Sequence, residues 1–174
     1  GQINFIAQPT VNLGRLDAKG WDLALRYKLP DTAIGAWSFG FDGTYTAQWD
    51  NDLGASGITH IAGTYNKDYG MYSRVRARTF VDWSMGDWTA SWRVRYVGPF
   101  KIASADAPCP AMRHSFSVGY ALPKINSRIE VGVDNAFDKQ PPLLFQNNVL
   151  NANTDVSTFD TIGRYFWARY TGKF

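Results

Sequence analysis

The stretch WSFGFDGTYTAQWD, Trp37 to Asp50, constrains the fold more than any other part of the chain. Trp37, Phe39, Phe41, Tyr45 and Trp49 share one parity, and Ser38, Asp42, Thr44, Thr46, Gln48 and Asp50 share the other. Successive strand side chains point to opposite faces, so this pattern predicts a strand with one apolar and one polar face. Trp21, Leu23, Leu25 and Tyr27 repeat it against Asp22, Arg26 and Lys28. Val75, Ala77, Val81 and Trp83 stand against Arg74, Arg76, Arg78 and Asp82, and Trp88, Ala90, Trp92, Val94 and Tyr96 against Asp87, Thr89, Ser91, Arg93 and Arg95. Weaker strands are predicted around Phe116, Val118 and Tyr120, around Ile129, Val131 and Val133, and in the closing GRYFWARYTGKF, which is apolar on both parities. The chain is therefore expected to be all-β and antiparallel with seven strands, Ile3 to Val11 being the upper end of an earlier one.

The connections alternate in length. Pro30–Gly35, Gly86-Asp87 and Ala121–Asn126 are short; Asn51–Gly70, Gly98–Pro110 and Asp138–Ile162 are long. Short turns at one end and long loops at the other characterise outer-membrane barrels, with short turns periplasmic. With Gly86-Asp87 as a two-residue turn, glycine first suits type II′. Met85 then faces Trp88, Val81 faces Trp92 and Ala77 faces Tyr96, so the apolar sets fall on one face; a slip of one residue would oppose them. The same register sets Arg78 opposite Arg95, an unfavourable pair that calls for a compensating charge.

The rings decide which face is outside. Trp37, Trp83, Trp88, Tyr120 and Phe174 fall at the short-turn ends of their strands, and Tyr45, Trp49, Tyr96 and Phe137 at the long-loop ends. Two aromatic bands match the interfacial girdles of a membrane barrel. With 7 Trp, 9 Tyr and 11 Phe, a sandwich core only ~10 Å thick is a poor fit. No apolar run reaches the ~18 residues of a membrane helix, which leaves strands as the spanning elements. The net charge of +3 without a basic block argues against nucleic acid. The single Cys109 has no partner within the chain; it is expected to be a passive loop thiol or half of a disulfide to residues outside it.

Four stretches resemble one family. NLGRLDAKGWDLALRYKLP and RVRARTFVDWSMGDWTASWRVRYVG resemble successive strands of the TonB-dependent outer-membrane receptors. VGVDNAFDKQPP, with Asn135, Phe137 and Asp138, and the final YFWARYTGKF after Gly163-Arg164 resemble the family's carboxyl-terminal motifs. The resemblance implies that residues 1–174 are the carboxyl-terminal portion of a transmembrane β-barrel of about 22 strands, with the plug domain and the amino-terminal strands lying elsewhere. It implies a bacterial outer-membrane receptor that imports a scarce nutrient (a ferric siderophore, cobalamin, haem or an oligosaccharide) with energy supplied through the TonB complex. Its expected partners are outer-membrane lipid, its own plug and remaining barrel strands, the nutrient, and the barrel-assembly machinery. Phe166, Tyr170 and Phe174 resemble the terminal signal read by that machinery, although Gly172 stands where many such signals carry a larger residue.

Nothing points to catalysis. No Gly-x-Ser-x-Gly, phosphate loop or cysteine cluster is present. His60 and His114 lie outside metal-ligand spacings, which favours loop or interface roles and no cofactor. Strand glycines such as Gly119 are expected to mark bends. Arg74, Arg76, Arg78, Arg93 and Arg95 are expected to line the lumen, either docking carboxylates of the plug or attracting an anionic substrate. The long loops offer Trp49, His60, Tyr65, Tyr69 and Tyr72, and in the last loop Phe145, Asn147 and Asn148, as substrate contacts; ordinary loop packing is the competing reading. The other readings of the whole are a small self-contained outer-membrane barrel of adhesin or structural type, and a soluble β-sandwich that binds carbohydrate.

Overall fold

A computed structural model describes residues 14–54, 57–66, 70–102, 111–144 and 153–172. In chain order the strands are β1 (Arg15–Lys28), β2 (Ala36–Asp52), β3 (Ile58–His60), β4 (Thr64–Asn66), β5 (Gly70–Tyr72), β6 (Val75–Met85), β7 (Trp88–Val97), β8 (Lys101–Ile102), β9 (Ala111–Leu122), β10 (Ser127–Asp134) and β11 (Tyr165–Gly172). Seven long strands form one antiparallel meander in the order β1-β2-β6-β7-β9-β10-β11, with β3 paired onto the end of β2. The predicted strands are thus present, apart from Ile3–Val11, which lies outside the described residues. Among the described residues there is no second sheet facing the first across an apolar core, so the sandwich reading has no structural counterpart.

The register follows from alternation and turn chemistry. Met85 pairs with Trp88, Val81 with Trp92 and Ala77 with Tyr96. Gly86 has φ +56, while Asp87 is not among the positive-φ residues, as a type II′ turn requires. Trp21, Leu23, Leu25 and Tyr27 are all more than half exposed, and their partners Tyr45, Gly43, Phe41 and Phe39 lie on the same face of β2. Among the described residues nothing covers this apolar face, which is the burial pattern of a sheet that meets lipid. At the short-turn end Trp37 stacks with Phe39 and meets Trp83, and Trp88 meets Tyr120 at 4.7 Å. At the other end Phe137 sits edge-on to His114 at 5.0 Å and to Phe116, and His114 stacks on Trp92. His114 is thus a member of the upper aromatic band, on the apolar face of β9.

Three expectations need correcting. First, β2 carries a bulge: Gly20 pairs with Thr46 but Lys19 pairs with Gln48, leaving Ala47 extra. One inserted residue reverses the alternation beyond it. Trp49 therefore pairs with Ala18, on the polar face, and meets Tyr72 with ring centres 4.6 Å apart and planes tilted by 48° instead of joining the outward band with Tyr45. Second, Asn51–Gly70 is not a plain loop. Strand β2 runs to Asp52, and β4, β5 and β8 form a small separate sheet. Third, the strand glycines mark spaces filled by side chains more than bends. A Cβ at Gly40 would lie 2.1 Å from the Phe80 ring, one at Gly132 would lie 2.4 Å from Trp167, and one at Gly119 would lie 2.7 Å from Arg128. Each glycine lets a large polar-face neighbour lie flat against the sheet.

The long connections build a core of their own. Tyr65, Met71, Val97, Phe100, Ala111, Leu144 and Phe159 are buried together. They come from the β2–β6, β7–β9 and β10–β11 connections and from the adjoining ends of β7 and β9. Phe100 and Leu144 are among the most completely buried side chains described. Lys101 N donates to the Gly63 carbonyl, Ser73 Oγ to the Gly98 carbonyl, and Leu144 N to the Asn153 carbonyl. The long-loop end therefore carries one packed cap.

Candidate functional site

The polar face of the sheet holds a dense charge array below this cap. Arg26 donates to both Asp42 carboxylate oxygens at 2.7 and 2.9 Å, and its guanidinium lies 5.1 Å from the centre of the Phe80 ring. Asp82 accepts from Ser91 and, at 3.3 Å, from Arg93. Arg128 donates to Thr89, and Ser117 to Glu130. Most of these pairs span adjacent strands, because polar residues of one parity meet across each ladder; the Arg128–Thr89 bond crosses β9 above Gly119.

One level stands apart. Asp42 pairs with Arg78, Arg78 with Arg95, and Arg95 with Arg113, so three guanidiniums occupy neighbouring strands β6, β7 and β9. Directly opposed residues have Cβ atoms roughly 5 Å apart, and like charges there destabilise. Asp42 is engaged by Arg26. Arg95 donates to the Thr158 carbonyl at 3.1 Å and Arg113 to the Asp160 carbonyl at 2.6 Å, so the last long connection lies against the polar face. Arg113 Nε is buried without an acceptor among the described residues. No ion pair joins any of the three to a carboxylate among the described residues. Arg113 was not singled out from the sequence, although its opposition to Arg95 follows once β9 is registered on β7.

The other expected lumen arginines have different neighbours. Arg74 precedes β6 and donates to the carbonyls of Thr46 and Ala47, closing the bulge in β2. Arg76 donates to the Met71 carbonyl at 3.0 Å and so holds β5. The candidate loop contacts also divide. Tyr65 is 4% exposed, so its ring belongs to the cap core and is not presented to a ligand. Burial first, and Asp155 second, push its phenol above the usual value of 10.0. His60 Nδ1 donates to Asp50 Oδ1 at 2.8 Å. That bond, then one from Gln48, holds the Asp50 carboxyl below 3.8. Trp49 and Tyr72 thus meet on the polar face at the end of β2, while His60 lies with Asp50 on the opposite face. Tyr69, Phe145, Asn147 and Asn148 lie outside the described residues.

The family-like motif turns out to be the neck of the last connection. Asn135, with φ +49 and 5% exposed, accepts from Lys139 N at 2.8 Å and donates to the Lys139 carbonyl at 3.0 Å. Asp138 Oδ1 accepts from Arg164 N at 3.0 Å, and Gly163, at φ +80, lies so close that a Cβ would sit 3.0 Å from the same oxygen. Asn135-Asp138 on the way out and Gly163-Arg164 on the way back therefore close the loop where the two strands part. Phe137 points away from this clamp into the upper aromatic band. On β11, Phe166 pairs with Val133 and Tyr170 with Ile129, which sets both on the apolar face; Phe174 lies outside the described residues.

A meander with an apolar outer face, two aromatic bands and a charged inner face is the wall of a transmembrane β-barrel. The family model described as "TonB dependent receptor-like, beta-barrel" matches residues 1–136, and the chain belongs to that family. Neither the curated proteins nor the solved structures gave a match. The family is one of transport receptors of the bacterial outer membrane and is not enzymatic.

Proposed function

We propose that this chain is the carboxyl-terminal section of the barrel of a receptor that imports a scarce nutrient with TonB-supplied energy, and that its inner arginine row docks a carboxylate of the plug. The row carries this reading: Arg78, Arg95 and Arg113 stand side by side, and among the described residues none of them forms an ion pair with a carboxylate, the register neighbour Asp42 being engaged by Arg26. Charges aligned in this way on an inner wall need a counter-charge from outside the wall. Among the described strands β1 and β11 are the two edges of the sheet and do not pair with each other, which supports a section of a larger barrel over a closed small one. In that setting the short turns face the periplasm and the cap faces outward, where the inward-turned Trp49 and Tyr72 meet the nutrient. Siderophore, cobalamin, haem and oligosaccharide remain the candidate cargoes.

The test is a structure of the complete receptor. An Asp or Glu from another segment is expected within 4 Å of Arg78 or Arg95; both arginines bare and facing water would overturn the docking role. Nutrient-dependent growth that survives loss of TonB would overturn the transport role.

A further inference from the structure

The last long connection binds two regions at once. Thr158 and Asp160 offer their carbonyls to Arg95 and Arg113 on the inner wall. Just before them Asp155, 5% exposed, accepts the Met71 amide of β5 at 3.1 Å and the Thr158 hydroxyl at 3.0 Å. Between these anchors Phe159 packs near Phe100 inside the cap, with ring centres 6.4 Å apart. Residues 153–160 are therefore a strut from the arginine row to the cap.

The lower end of this strut rests on an unbalanced cluster. Arg78, Arg95 and Arg113 repel one another across the ladder. The surrounding carboxylates are turned elsewhere: Asp42 to Arg26, Asp82 to Arg93, Asp155 to Met71, and Asp160 to the Ile162 amide. Asp134 and Asp160 line the same cleft without pairing to the row. Among the described residues the hydrogen bonds from the row to the strut thus end on neutral carbonyls. Bonds from guanidinium to carboxylate are roughly twice as strong as those between neutral groups.

We propose that a carboxylate bound at Arg78, Arg95 and Arg113 tightens the strut and, through Asp155, stabilises the extracellular cap. This rests on the receptor reading above. A guanidinium has about five N–H donors, so one carboxylate and the two strut carbonyls can be held together. Neutralising the row removes the mutual repulsion that opposes holding Arg95 and Arg113 side by side on Thr158 and Asp160. The carboxylate comes from a docked chain segment or from a free polycarboxylate; the recognition chemistry is the same.

The experiment is hydrogen exchange at the Met71 and Phe159 amides of the complete receptor in detergent, with citrate as probe. Arg78→Gln removes the row member that does not touch the strut. If a chain segment supplies the carboxylate, Arg78→Gln speeds exchange at both amides without citrate. If a free ligand supplies it, citrate at ten times its Kd slows wild-type exchange about tenfold, and Arg78→Gln needs more citrate for the same effect. Exchange indifferent to both the substitution and citrate overturns the proposal. Asp155→Ala supplies the second check: the response should vanish at Met71 and persist at Phe159. A Met71 response that survives Asp155→Ala removes the strut as the route. Citrate-dependent protection does not require TonB, so its failure is separate from a failure of TonB-dependent uptake.

Discussion

Asn135 offers the sharpest test of how the last connection is held. Its amide makes two hydrogen bonds to the Lys139 backbone, at 2.8 and 3.0 Å, while its own backbone sits at φ +49. Asn135→Ala removes both bonds and puts a Cβ-bearing residue without a polar side chain into the left-handed region. Net hydrogen bonds are worth roughly 0.5–1.5 kcal/mol each, and the left-handed backbone costs a non-glycine residue roughly 1–2 kcal/mol. The sum is about 2–5 kcal/mol against local opening. Asn135→Gly loses the same bonds but keeps the backbone relaxed, so about 1–3 kcal/mol is expected. Hydrogen exchange of the Lys139 amide reads local opening directly, and each 1.4 kcal/mol is a factor of ten. Asn135→Ala should therefore exchange at least about 30-fold faster than wild type, with Asn135→Gly between them. A Lys139 amide unchanged in both variants would refute the clamp, and Gly faster than Ala would refute the backbone argument.

Four further outcomes follow from the same geometry. Gly40→Ala puts a Cβ into the Phe80 ring and should cost about 1–3 kcal/mol of barrel stability, measured by denaturant unfolding in detergent; Gly40→Ala with Phe80→Ala should recover part of it, and no recovery would remove Phe80 as the cause. Tyr65 has a buried hydroxyl without a partner among the described residues, so Tyr65→Phe should leave cap stability equal or higher; a loss above about 1 kcal/mol would show a bonded hydroxyl. The Asp50 carboxyl is held below 3.8 by His60 and Gln48, so its contribution is present above that value and is lost as pH falls through the lowered folded value. Proteolysis between β2 and β3 should therefore rise only below about pH 4, and Asp50→Asn should abolish the pH dependence. Deleting Phe174 should reduce outer-membrane insertion, scored by heat-modifiable mobility on gels, more than ligand binding per folded receptor; equal insertion would count against its role as an assembly signal.

Much of the wall was legible because its physics is local. A period of two sets the faces, and a glycine-first turn sets the register, so the pairing of Val81 with Trp92 and of Arg78 with Arg95 can be written down before any coordinates. What was not legible depended on interruptions of that period or on contacts between distant connections. Ala47 carries no mark of a bulge in its own identity, yet it moves Trp49 to the other face. Tyr65 and Phe159 look like any loop rings in sequence; only the joint folding of three connections buries them.

The inner wall shows the same limit from the other side. Arg74, Arg76 and Arg78 fall on the polar parity of one strand and Arg93 and Arg95 on that of the next, and alternation alone makes them equivalent. Their neighbours separate them: two hold carbonyls of the first long connection or the bulge, one meets Asp82, and one holds the strut. Arg78 alone of the five lacks such a bond among those described. Its nearest register partners are an aspartate engaged by Arg26 and a second arginine. A guanidinium left in that position gains most from a carboxylate supplied by something beyond this wall. Within the basic stripe, Arg78 and the row it begins are therefore the arginines with a charge left to satisfy.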